Sequence, residues 1–231
     1  MDGPDGDPVT GATDLPPWRS VLAVVAHPDD ESFGLGALLS TFVDAGATAT
    51  VLCFTQGEAS TLHGVAGELS RIRAVELESA AGLLGVRDTL LRDHPDGALE
   101  SVGDDVLTED VAQVAEETAA QGLRVFDRSG VTGHPAHRAA TRAAVLAAHR
   151  LGIPVLLWTL PEDVADTLAR EYAAPFVGSQ GDEIDLVVTV DRERQRAAAL
   201  AHASQALPTS VLWRRLELLG DREHLVLEEP V

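Results

Sequence analysis

Apolar residues along the chain fall into continuous runs rather than strict alternation. Residues 21–26 (VLAVVA), 47–54, 123–127, 154–159 and 184–190 each read as a strand, with 89–92 as a shorter one. Between these runs the spacing changes to that of a helix. It does so over residues 33–44 (closing at Gly46), 70–84 (stopping at Gly85), 105–120 (closed by Gly122), 137–151 (ending at Gly152) and 192–203. A strand that is apolar along its whole length has both faces covered, so the pattern predicts an α/β protein with a mainly parallel sheet between helical layers. Ligands of such sheets bind beyond the carboxyl ends of the strands. The places to look for chemistry are therefore the segments just after Ala26, Phe54, Arg92 and Asp127.

Composition removes several alternatives. The 231 residues carry 37 acidic and 17 basic side chains, every basic one an arginine, for a formal charge of −20. Such a surface repels nucleic-acid phosphates and anionic membranes, so neither is expected as a partner. No apolar run approaches the roughly 18 residues of a membrane span. The single cysteine, Cys53, lies in an apolar run and reads as a buried thiol, which excludes a disulfide scaffold. Residues 1–18, with Asp2, Asp5, Asp7 and Asp14 among four prolines, read as a disordered acidic tail rather than a signal peptide. Residues 19–231 are expected to form one domain, and the location to be cytoplasmic. Oligomeric state is left open, a homo-oligomer being compatible with the sequence.

Two of the four segments are rich in metal-type donors. After the first strand comes Ala26-His27-Pro28-Asp29-Asp30-Glu31, and after residues 123–127 comes Gly133-His134-Pro135-Ala136-His137-Arg138. Each is ambiguous alone, because acidic residues in a first helical turn offset the macrodipole and Pro is ordinary at a helix start. Brought together at one sheet edge, they can build a catalytic zinc site of three protein ligands. His27 and Asp30, spaced i, i+3, share one face, and His137 can supply the third ligand. Asp29 then stands as general base, and His134 as the group that stabilises an oxyanion or protonates the leaving group.

At these residues the sequence resembles the LmbE-like or PIG-L family of zinc-dependent N-acetylglucosaminyl de-N-acetylases. AHPDDE after a strand is the specific part. Weaker support comes from Arg73-Ala74-Val75-Glu76, Pro95-Asp96-Gly97 and Ala201-His202-Ala203-Ser204-Gln205. The resemblance implies a Rossmann-like three-layer sandwich with its active site at the C-terminal strand edge. It also implies hydrolysis of an N-acetyl amide on an amino sugar or glycoconjugate. His27, Asp30 and His137 match the ligands of one Zn2+, with Fe2+ as the other candidate metal. Asp29 and His134 match the catalytic pair, and Arg73 and Asp96 match positions that contact substrate hydroxyls. The family often has Asp where this chain has Ala136, which removes a polar neighbour that could tune His134.

Other readings are weaker. An amidase for thiol conjugates or natural-product acyl amides fits the same residues, and Ala136 raises the idea of a metal-binding protein without catalysis. Gly34-Leu35-Gly36 starts too late and lacks the third glycine of a dinucleotide-binding turn. His94 reads as a surface turn, His202 as helix packing, with an approach to the site as what the resemblance implies, and Trp18, Trp158 and Trp213 as core or rim. His63 falls in a polar stretch that could form a lid, and residues 173–183 form a candidate loop at the active-site edge.

Overall fold

The computed structural model describes residues 14–61 and 66–230, so His63 and most of the expected acidic tail lie outside the described residues. The chain runs β1 (Ser20–Val25), α1 (Asp30–Phe33), α2 (Gly36–Asp44), β2 (Thr48–Thr55), α3 (Ala66–Leu84), β3 (Asp88–His94), α4 (Asp104–Glu117) and β4 (Gly122–Phe126). It continues through α5 (Gly130–Gly133), α6 (Pro135–Leu151), β5 (Val155–Thr159), α7 (Glu162–Tyr172), β6 (Leu186–Thr189), α8 (Glu193–Ala201), α9 (Val211–Leu219) and β7 (Arg222–Glu228).

The seven strands form one sheet in the order β3-β2-β1-β4-β5-β7-β6. The first five are parallel, and β7 runs antiparallel to both of its neighbours. Side chains alternate along a strand, so Val21, Ala23 and Val25 of β1 enter one core cluster and Leu22, Val24 and Ala26 the other. The first cluster lies against α2, α3, α7 and α8, the second against α4 and α6. This is the three-layer α/β arrangement predicted from the apolar runs. Among the described residues no helix is long and apolar enough to cross a membrane.

The helix expected over 33–44 is in fact two, broken at Gly34 and Leu35. A Cβ on Gly34 would lie 2.1 Å from the Phe126 ring, and one on Gly36 3.0 Å from Gln195. These glycines serve close packing and not a phosphate turn. Three elements, α7, α9 and β7, fall where the hydrophobic pattern gave no assignment. In β7 the buried positions include Glu223 beside Leu225, and a polar residue on the inward face hides the strand period.

Candidate metal centre and active site

In the strand order the chain leaves β1 toward β2 and β4 toward β5, so the loops after β1 and β4 diverge from a shared crevice. Both donor-rich segments emerge there. Asp30 is buried; its Oδ2 accepts the backbone N–H groups of Ala26 at 3.2 Å and His27 at 2.9 Å. Its Oδ1 lies 3.1 Å from Nε2 of His137. Nδ1 of His137 faces the Gly130 carbonyl at 3.3 Å, and donating there leaves Nε2 as the coordinating nitrogen. His27 lies between two carboxylates, with Nδ1 3.5 Å from Asp30 and Nε2 3.3 Å from Asp96.

Ligand-type atoms of His27, Asp30 and His137 all fall within 4.8 Å of one another. Two imidazoles and one carboxylate suit a catalytic zinc and equally a non-haem ferrous ion. The electrostatics ask for a cation. Burial disfavours protonated His27, yet hydrogen bonds to Asp30 and Asp96 carry its pKa up to about 10. Burial likewise opposes ionisation of Asp30, but the His137 and His27 imidazoles hold its carboxyl well below the usual range. Positive charge, whether proton or metal, is what these carboxylates are arranged to hold.

Asp29 has φ 132° and ψ −26°, a conformation that L residues rarely adopt. The surroundings impose it. Its N–H donates to Glu31 Oε2 at 2.9 Å, and its carbonyl accepts from Ser32 at 3.0 Å and Phe33 at 2.7 Å. Its carboxylate lies 3.1 Å from Nη2 of buried Arg73. Arg73 also donates to the carbonyls of Gly57 at 2.8 Å and Pro28 at 2.5 Å. Gly57 has to be glycine for this, since a Cβ there would lie 2.3 Å from Nη1 of Arg73. Burial pushes the Asp29 pKa up and Arg73 opposes it, leaving it at about 6.

Sequence reasoning missed the support beneath this loop. Glu31 is fully buried, and its Oε1 accepts from Ser32 Oγ at 2.5 Å and meets Nε2 of fully buried His202 at 2.7 Å. Burial disfavours protonated His202, but the Glu31 carboxylate raises its pKa. His202 thus does more than pack its helix: it ties the end of α8 to the Asp29 loop. The signal was present in the last acid of AHPDDE, but macrodipole compensation explained that residue equally well. Removing one partner of such a buried pair typically costs about 3–5 kcal/mol. His202→Ala is expected to lower unfolding free energy by about 3 kcal/mol in urea titration, and an unchanged midpoint would refute the tie.

His134 caps α6 with extended backbone, exposed to solvent. Its ring centroid is 4.6 Å from that of His137 and 5.1 Å from that of His27; its carbonyl accepts the Arg138 N–H at 3.1 Å, while the ring has no hydrogen-bond partner among the described residues. Burial and the two neighbouring imidazoles lower its pKa. Asp96 accepts from the N–H groups of Ala59 at 2.8 Å and Gly97 at 2.9 Å. Burial opposes its ionisation, but the His27 hydrogen bond and the Ala59 N–H bring its pKa down to about 2. Ala136 is buried in the apolar cluster beneath α6, so its methyl belongs to the core and position 136 offers His134 no carboxylate.

All seven site residues named from the sequence line one cavity of about 460 Å³, which Phe176 and Arg215 also reach. Phe176 brings the 173–183 segment to the cavity, tied down by the Val177 N–H on the Val131 carbonyl at 2.8 Å. His94 lies elsewhere and is not a surface turn: half-buried at the end of β3, it contacts Asp110 at 2.7 Å. The three tryptophans stay out of the cavity: Trp18 stacks on Phe42, Trp158 is buried and Trp213 is half-buried.

The family model PIG-L, described as GlcNAc-PI de-N-acetylase, matches residues 22–148, more than half of the chain. The chain belongs to the PIG-L family. A 1D-myo-inositol 2-acetamido-2-deoxy-α-D-glucopyranoside deacetylase of Kribbella flavida is 34% identical, the match covering 82% of this chain and 84% of that one. The protein of the same description from Kineococcus radiotolerans is 33% identical over 56% of this chain, and there the match spans under half of the relative, 46%. Among solved structures, a teicoplanin deacetylase in a zinc-inhibited form superposes with TM-score 0.70 at 21% identity, covering 91% of this chain and 98% of that one. The 4-carboxy-2-hydroxymuconate hydratase of Pseudomonas putida does so with TM-score 0.69 at 16% identity, covering 92% and 97%. The PIG-L fold is therefore shared by proteins described as deacetylase and as hydratase, and chemistry must be read from the site. In this PIG-L chain, the convergence of His27, Asp30 and His137 points to a bound metal.

Proposed function

We propose that the protein is a zinc-dependent hydrolase that removes the N-acetyl group from an N-acetylglucosamine-type amino sugar or glycoconjugate. The observation that carries this reading is the meeting of His27, Asp30 and His137 with Asp29 beside them, in a chain of the PIG-L family. His27, Asp30 and His137 would hold Zn2+, and the same donors would accept Fe2+. When bound, such an ion supplies Lewis acidity, which eases ionisation of water near neutral pH and polarises an amide carbonyl.

The remaining work falls to side chains. Asp29, oriented by Arg73, takes the proton of the attacking water as general base and passes it to the leaving nitrogen. His134, whose ring has no hydrogen-bond partner among the described residues, directs an N–H at the negative charge that develops on the carbonyl oxygen. Asp96 and Arg73 flank the polar side of the cavity, where sugar hydroxyls would hydrogen-bond. The strongly acidic chain with one buried cysteine suits a cytoplasmic enzyme of small molecules.

Protein loaded with Zn2+ or Fe2+ is expected to release acetate and free amine in equal amounts from N-acetylglucosaminyl-inositol. No acetate from this or any other N-acetylglucosaminide, with either metal, would overturn the reading.

A further inference from the structure

Arg215 is 8% exposed and lines the same cavity. It donates Nη2 to the Phe33 carbonyl at 2.5 Å, stacks over the Trp158 ring at 5.1 Å, and has no partner for Nε. Its natural counter-ion, Glu223, is already engaged by Arg192 and by the Trp158 Nε1–H at 2.6 Å. A buried guanidinium without a carboxylate of its own is costly, and its presence in a cavity wall marks a candidate binding group.

The surroundings indicate what it binds. Around it the wall is apolar, formed by Phe33, Phe126, Val131, Phe176 and Val211. Phe126 lies 5.0 Å from the His137 ring and 5.5 Å from Trp158, so this wall starts at the metal-type donors and ends at Arg215. Asp96 is set apart from this wall by the metal-type donors, since it contacts His27, whose ring lies 5.2 Å from that of His137, and Arg73, the other guanidinium at the cavity, is held by Asp29. A hydrolase of amides has two sides to its scissile bond. With the sugar hydroxyls against Asp96, the acyl half faces the apolar wall, and a bare acetyl carries nothing to satisfy a guanidinium.

We propose that Arg215 and the apolar wall beside it form an acyl subsite that takes an N-acyl group longer than acetyl and ending in a carboxylate. The inference rests on the hydrolase reading above and extends its acyl range from acetyl to a longer, carboxylate-ended group. The reaction is unchanged in kind: water adds to the carbonyl carbon, the C–N bond breaks, the amine takes a proton, and a dicarboxylic acid leaves.

The test compares N-butanoyl- and N-succinylglucosamine, similar in length but differing in terminal charge, using metal-loaded wild type, Arg215→Met and Arg215→Lys. Wild type is expected to favour the succinyl compound at least tenfold in kcat/KM. The ratio should fall to about one in Arg215→Met and be partly kept in Arg215→Lys. Because it is a ratio, it is insensitive to a general loss of activity, and thermal melting checks folding of both variants. A wild-type ratio of one or less, or the same ratio in Arg215→Met, overturns the subsite. If wild type hydrolyses neither compound nor N-acetylglucosamine, the hydrolase reading fails by itself, and calorimetric binding decides the subsite. Tighter binding of the succinyl compound that is lost in Arg215→Met supports it; equal binding of both compounds overturns it.

Discussion

Replacing His137 by alanine is expected to take the metal content of the protein from about one ion per chain to near zero, and amide hydrolysis with it. The expectation follows from how few donors the site has. Among the described residues, His27, Asp30 and His137 are the cluster whose ligand atoms all approach within 4.8 Å. Removing one leaves two protein ligands, too few to hold an ion with which water competes. His137 is also the ligand brought from the second segment, at the start of α6, so its loss dissolves the link between the two loops. Elemental analysis of wild type and variant after reconstitution with Zn2+ measures the outcome, with circular dichroism to confirm folding. A variant that kept one ion per chain would exclude His137 as a ligand.

Asp29→Asn should behave in the opposite way toward the metal. Asparagine has nearly the same shape and is tolerated at positive φ, so the backbone at 132° should persist and the three ligands with it. What is lost is the capacity to accept a proton, and general-base removal typically lowers kcat by about 10²–10⁴. Arg73 also loses the carboxylate 3.1 Å from its Nη2, and a lower melting temperature should accompany the change. Metal content measured alongside kcat separates the two effects. Full kcat in Asp29→Asn would remove Asp29 as the base, and loss of metal would place it among the ligands.

Taken with His202→Ala, these variants divide the site by the kind of failure each produces. His137 governs occupancy, Asp29 the rate, and His202 the stability of the loop that carries Asp29. A merely structural loop would give loss of stability in all three.

Much of this was legible in the chain itself. Apolar runs in β1, β2, β4 and β5 revealed a covered parallel sheet, because strands buried on both faces cannot alternate. That sheet in turn located the chemistry at its carboxyl edge, and HPDDE and HPAH supplied donors of the right type. Local rules sufficed because each signal lies within one element or its following loop. Ala136 was legible too, but only as a departure; that its methyl is buried in the core beneath α6 is a property of packing.

What the tertiary structure decided are the relations between distant segments. The resemblance offered Arg73 only as a substrate contact, whereas in the fold it is buried against Asp29, Gly57 and Pro28. Asp96 was likewise offered only as a substrate contact, yet its carboxylate meets His27 from the end of another strand. The buried pair of Glu31 and His202 joins residues 171 positions apart, and Arg215 comes from a helix the hydrophobic pattern did not reveal. Periodicity records which face of an element is buried, and a charged residue on that face looks like an error until its partner is known. The chain thus determined the sheet and the donors, whereas only their packing fixed which charges are paired, which backbone is strained, and which guanidinium lines the cavity without a carboxylate partner among the described residues.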